Sequence, residues 1–319
     1  MRRELTLLTA MLFTLGLVAA PTLANPGEGA DQGQGKGQGL ENPNVVEFYS
    51  EGHEFFGLPE EIPSGWTTFR YHNNSDGEHF AYIADLPGGI TTQDSLDEVA
   101  PVFQEAMDLI AAGDIAGGFG RFEDLPPWFW EVVPTGGPGL VAPGGVAETT
   151  VYLEPGNYQI ECYVKSDGEF HTFTMIEDLT VTGEDNGARE PRADFDVVLT
   201  NPTDEEDGIE IVGDVRPGHR TFAVHFEEQM VHGNGLGHDV HLARLDHDTD
   251  LDELAAWMNW AKPGGLDVTP PAEFLGGVQT MTAGSTAYVS VHLTPGEYAF
   301  IAEVDDPQGK GMLQTVTVP

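Results

Sequence analysis

Cys162 is the only cysteine of the chain. His171 follows nine residues later and Met175 four after that, within the stretch PGNYQIECYVKSDGEFHTFTM, residues 155–175. A lone cysteine closes no internal disulfide, which leaves three uses for the sulfur: a small buried hydrophobe, a reactive thiol or a metal ligand. A thiolate, two imidazoles and a thioether form a donor set suited to copper. Sulfur favours copper(I) and nitrogen favours copper(II), so a mixed set lets the ion cycle with little rearrangement. The Cys162, His171 and Met175 run supplies three of these donors. His79 is the candidate fourth, because it follows the polar turn NNSDGE and precedes the apolar FAYIADL, which places it at a strand end.

Strand parity must aim the sulfur. Tyr158, Ile160, Cys162 and Val164 alternate with Asn157, Gln159, Glu161 and Tyr163, so the first set faces a core and the second faces away. Asp167-Gly168 reads as a hairpin turn that folds His171 back towards Cys162. Similar short β-branched or aromatic runs, bounded by Gly, Pro, Asn or Asp, recur along the chain and predict an all-β fold. One amphipathic helix is expected near 95–112, opened by Ser95 with Glu98 three residues on, and another near 250–261. The chain also repeats itself. Residues 136–160 and 276–300 match at nine of 25 positions with a constant offset of 140. Upstream, IPSGWTTFRYHN (62–73) echoes VRPGHRTFAVHF (215–226), and GEHFAYIADL (77–86) echoes LGHDVHLARL (236–245). A period this long marks a duplicated domain, and many short strands with one inserted helix per copy predict two tandem β-sandwiches.

At the level of these motifs the first copy resembles the cupredoxins, the plastocyanin and azurin superfamily. The likeness lies in a histidine after an early strand, then PGNY leading to a cysteine, a loop, a histidine and a methionine before the final LTVT strand. It implies Greek-key sandwiches over 43–182 and 193–319, joined by a linker at 183–192. It also implies one type 1 copper in the first copy: His79 and His171 as equatorial imidazoles, Cys162 as thiolate, Met175 as weak axial ligand, and His171 at the more exposed edge. The eight residues between Cys162 and His171 exceed the family's usual two to four. In the second copy His238 matches His79 and Met312 matches Met175, but Ala302 stands for Cys162 and Gln308 for His171. That copy is therefore expected to lack a type 1 site.

Composition bounds the rest. Residues 1–24 have two arginines, an apolar run and a small-residue end at Ala24, which reads as a signal peptide and predicts a periplasmic or secreted protein. Residues 25–42 form a Gly/Gln-rich leader expected to be disordered. No later stretch is apolar enough to predict a membrane span. With 53 Asp+Glu against 13 Lys+Arg, a net charge of −40 disfavours nucleic acid and anionic membranes, and the spread of acids along the chain suggests high-salt adaptation. His225, His232, His238, His241 and His247 crowd the second copy; His238 and His241, three apart, offer a second metal site, but the loop histidines read as solvated. His72 and His225 read as structural, PPWFWEVV (126–133) as a lid, and DHDTDLDE (246–253) as an acidic helix start. The expected function is electron transfer with a redox protein partner that the sequence does not specify. The alternatives are a metal-free duplicated sandwich acting as a binding module and a two-domain copper oxidoreductase. The absence of any His-x-His weighs against a multicopper oxidase.

Overall fold

Alternation of buried and exposed side chains along Val45–Glu51, Val146–Leu153 and Phe195–Leu199 shows how the β-runs build a fold: every second residue enters a core. The computed structural model describes residues 44–203, 208–267 and 269–319; the segments read as signal peptide and leader lie outside the described residues. The fold is mostly β, two tandem β-sandwiches that repeat one strand order. In the first copy, Val45–Glu51 pairs in parallel with the long strand Glu61–Asn73, which pairs antiparallel with Val146–Leu153. The facing sheet runs Ile176–Asp185, Gly156–Glu161, Tyr82–Leu86, Val133–Gly136. The second copy repeats this order. Phe195–Leu199 pairs in parallel with Gly218–Phe226, which pairs antiparallel with Ser285–Leu293, while Leu313–Val318, Gly296–Ile301, Val240–Leu245 and Glu273–Val278 form the opposite sheet.

The long strand of the first copy changes sheets at Gly65. Residues 61–64 pair with Ile176–Asp185, and residues 65–72 pair with Val146–Leu153. Gly65 has φ +116°, and a Cβ there would lie 2.6 Å from Asn186 Oδ1, so only glycine turns this corner freely.

The duplication is visible in single hydrogen bonds. Tyr158 Oη donates to the Glu154 carbonyl and Tyr298 Oη to the Thr294 carbonyl, each at 2.8 Å. His72 pairs with Glu47 at 2.8 Å and His225 with Asp196 at 3.0 Å, each across to the parallel neighbour strand, so both histidines are structural as expected.

The copies are fused, not merely linked. Val146–Leu153 pairs with Ser285–Leu293 through Thr149 and Val289, making one sheet continuous across both copies. Segments 137–142 and 274–279 also exchange backbone hydrogen bonds, including Gly139 N–H to the Gly277 carbonyl at 3.1 Å. Residues 44–319 form one compact unit, and the buried apolar residues of both copies form one cluster. Trp260 of the second copy lies within 6.1 Å, ring centre to ring centre, of Phe103, Phe122 and Phe170 of the first.

The first helical segment starts earlier than Ser95. Thr91 N–H and Oγ1–H both donate to the Asp94 carboxylate at 2.8 Å, and helix begins at Thr92. Ser95 lies inside it, buried, donating to Gln159 Oε1 at 2.7 Å. The turn at Ser95–Val99 widens to a π-helix just before Pro101, which brings no N–H to the ladder. The second helix, Leu251–Met258, is capped by Asp250, whose carboxylate accepts from the Asp252 and Glu253 N–H groups. The aromatic run 126–133 packs over the first helix, with Trp128 Nε1 donating to Glu98 at 2.9 Å and Phe129 5.8 Å from Phe103.

Candidate metal centre

Cys162 lies one residue beyond Gly156–Glu161 and is fully buried, as the parity predicts. Its N–H donates to the Met175 carbonyl at 3.0 Å, and Met175 N–H donates to the His171 carbonyl at 2.7 Å. The backbone thus ties three of the four expected residues together. The hairpin between them is Lys165–Ser166 paired with Glu169–Phe170, turning at Asp167 (φ 54°) and Gly168 (φ 84°). The Asp267 carboxylate accepts both turn N–H groups, at 3.1 and 2.8 Å, so the second copy braces the loop that carries His171. His79 is placed from the other side. The Asn73 amide donates to the carbonyls of Gly77 and Val141 at 2.7 and 2.9 Å, and Val141 N–H donates to the His79 carbonyl at 2.9 Å.

These supports bring three ligand atoms to one point. Cys162 Sγ is 3.5 Å from His79 Nδ1, and His79 Nδ1 is 3.2 Å from His171 Nδ1. All three residues are buried. Metal–nitrogen bonds of about 2.0 Å and metal–sulfur bonds of about 2.3 Å, spread roughly trigonally, give ligand–ligand edges of about 3.2 to 3.8 Å, which these separations match.

The protonation pattern favours the same reading. His171 Nε2 meets Ser166 Oγ at 2.8 Å, and the Gly52 carbonyl lies where it favours a proton on His79, although His79 Nε2 completes no hydrogen bond. With those outer nitrogens protonated, both Nδ1 lone pairs turn inward. Burial, reinforced by the neighbouring imidazoles, lowers His79 to about 4 and His171 to about 3, so both rings are neutral bases at neutral pH. Burial also pushes the Cys162 thiol up to about 12. A bound cation would reverse that last effect, since coordination deprotonates a thiol outright. Three convergent Lewis bases fit a metal ion with a taste for sulfur and nitrogen.

Met175 is fully buried beside this cluster and held to it through its backbone. His171 is the most exposed of the four residues, as expected, but only at 4% against 1% for His79, because His53 covers both rings. The His53 ring stacks on His171 at 3.9 Å with 22° between planes, stands edge-on to His79 at 5.9 Å, and is itself exposed. His53 lies in the turn between Val45–Glu51 and Glu54–Phe56, where no motif marks it.

The histidines of the second copy do not share one environment. His247 is solvated as expected, but His232, His238 and His241 are buried, at 5%, 0% and 0% exposure. Strand Val240–Leu245 draws His241 inside, and the loop before it folds over His232 and His238. Asp239, His241 and Glu303 cluster at the junction of the copies. Leu140 N–H donates to His241 Nδ1 at 3.0 Å, so the ring proton sits on Nε2, facing Asp239 at 3.4 Å. That nitrogen offers no lone pair, and the cluster reads as a hydrogen-bonded seam. Glu303 N–H donates to Asp239 and Tyr163 Oη to Glu303 Oε2. Burial and the Asp239 charge raise Glu303 well above the usual carboxylate range.

No family model matches the chain, and no curated protein matches it. Among solved structures, it is similar to auracyanin A, a blue copper protein from the green thermophilic photosynthetic bacterium Chloroflexus aurantiacus. That match has 21% identity over 43% of this chain and 98% of the other, with a TM-score of 0.28. An azurin from Methylomonas sp. strain J matches at 12% identity over 43% and 96% of the two chains, TM-score 0.25. A copper nitrite reductase from Nitrosomonas europaea matches at 12% identity over 86% and 93%, TM-score 0.22. At these scores the likenesses decide nothing about the site, whose reading rests on its own atoms.

Proposed function

We propose that the protein is an exported copper protein that carries electrons through one type 1 site, with His79, Cys162, His171 and Met175 as the ligand set. The observation that carries this reading is the convergence of two imidazole Nδ1 atoms on one buried sulfur. His79 and His171 would bind as neutral imidazoles, Cys162 as thiolate and Met175 as the weak axial donor. When bound, copper supplies a one-electron couple whose potential is tuned by the axial ligand and by the surroundings of the sulfur.

The residues themselves do the rest. Phe80, Ile160 and Val164 are buried within the same core and exclude water. The Asn73 clamp and the Asp267-braced hairpin hold the ligand atoms in place, which limits rearrangement between oxidation states. His53, exposed and stacked on His171, is the short route between the site and a redox partner. The N-terminal sequence supports export, and the dispersed acidic residues support service at high salt, where self-repulsion is screened.

The test is the visible spectrum of residues 25–319 with copper(II). One equivalent should give an intense thiolate-to-copper band that Cys162→Ser abolishes. A colourless protein without stoichiometric copper would leave the metal-free duplicated sandwich as the better reading.

A further inference from the structure

His232 and His238 form a second buried imidazole pair, in the copy that has no cysteine. Their ring centres are 5.1 Å apart with 45° between planes, against 4.8 Å and 51° for His79 and His171. His238 Nδ1 donates to the Glu228 carbonyl at 3.1 Å, which leaves the lone pair on Nε2, and that atom has no hydrogen-bond partner. Both nitrogens of His232 are buried and unpartnered as well. A ring pinned through one nitrogen by a backbone carbonyl, with the other left basic, is the arrangement that prepares a histidine for a metal.

The surroundings repeat those of the first site. Ala302 N–H donates to the Met312 carbonyl at 3.0 Å, the bond that Cys162 makes with Met175. The Gln229 side chain donates to the His238 carbonyl at 2.9 Å and accepts from its N–H at 2.7 Å, clamping His238 as Asn73 clamps the loop of His79. Gly233 N–H donates to Asp305, so His232 lies against the loop that matches the one carrying His171.

We propose that His232 and His238, with Met312 in the place of Met175, form a cysteine-free site for a soft monovalent cation, copper(I) in chemical class. The donor set selects a soft ion. Ala302 supplies no thiolate, and two unpartnered imidazole nitrogens with a thioether are neutral, polarisable donors that suit a soft ion of single charge. The nearby carboxylates point elsewhere, Asp239 to Glu303 N–H and His241, Asp305 to Gly233 N–H and Lys310.

The site goes beyond the proposed function, and its test separates the two. Three proteins are titrated anaerobically with copper(I) against a copper(I) chelator: the parent, His232→Ala/His238→Ala, and Cys162→Ala/His171→Ala. The expected stoichiometries are two ions, one and one. If the Cys162→Ala/His171→Ala protein binds none, or the His232→Ala/His238→Ala protein binds as many as the parent, the second site is overturned. If the parent binds one ion, kept without Cys162 and His171 but lost without His232 and His238, the second site stands and the proposed function falls. Should the double histidine variant not fold, silver(I) added to the parent decides. Shifted imidazole ¹⁵N resonances of His232 and His238 support the site, and unmoved ones overturn it.

Discussion

The two copies share a scaffold down to single hydrogen bonds and differ in what stands at its end. Tyr158 and Tyr298 make the same bond, as do Cys162 and Ala302 with the methionines that follow them. An amide side chain clamps the segment of His79 in one copy and of His238 in the other. Against that constant frame the first copy presents sulfur and two imidazoles, and the second presents alanine and two imidazoles, one of them from a different loop. The lesson is that the two copies keep one backbone pairing and differ in two or three side chains at its end, and on the proposed reading those side chains decide which oxidation state of a metal each would favour.

The sharpest way to break the comparison is to erase its main difference. Ala302→Cys puts a thiol beside His238 and Met312. With copper(II) it should produce a second thiolate-to-copper band and raise the bound copper(II) from one ion per chain to two. An unchanged spectrum and stoichiometry would show that the second copy cannot present ligands as the first does.

A smaller effect tests how far the first copy leans on the second. Lys165 is buried; its N–H donates to the Leu266 carbonyl at 2.7 Å and its Nζ to the Trp260 carbonyl at 2.8 Å. Burial lowers its ammonium to about 8, while Asp267 and Glu303 oppose the shift. Between about pH 8 and the unfolded value near 10.4, the folded chain has lost a proton that the unfolded chain keeps, so stability rises with pH across that window by roughly 3 kcal/mol. Lys165→Met should lack this rise. Urea unfolding of both proteins at the two ends of the window measures it, and parallel pH profiles would contradict it.

The smallest effect concerns the shared frame itself. Tyr158→Phe removes one hydrogen bond to a backbone carbonyl and should cost about 1 kcal/mol; Tyr298→Phe also removes the bond that Tyr298 Oη accepts from Thr294 N–H at 3.1 Å and should cost about 2 kcal/mol. Equal losses in urea unfolding would contradict this difference between the copies.

Much of this could be read from the residues because it depends on period and spacing. Parity turned Cys162 inward, and Asp167-Gly168 set the hairpin that returns His171. The nine identities between the repeats announced the duplication. What escaped notice depends on contacts between distant segments. His53 sits in a turn with no motif and joins the site only because Val45–Glu51 pairs with Glu61–Asn73. His232 lies in a loop that is longer than its counterpart, so alignment of the copies assigns it no role. Its place in a loop reads as solvated, whereas the fold buries it. The helix start moved from Ser95 to Thr92 because Asp94 bonds Thr91 and Ser95 finds Gln159, a partner 64 residues away.

The central claim is that one sulfur and two imidazoles of the first copy share a metal ion. Copper K-edge X-ray absorption on the protein loaded with one equivalent of copper(II) tests it most directly. The account predicts a first shell with one short copper–sulfur path and two imidazole nitrogens, the sulfur path vanishing in Cys162→Ser. A shell of nitrogen and oxygen alone in the parent protein would contradict it.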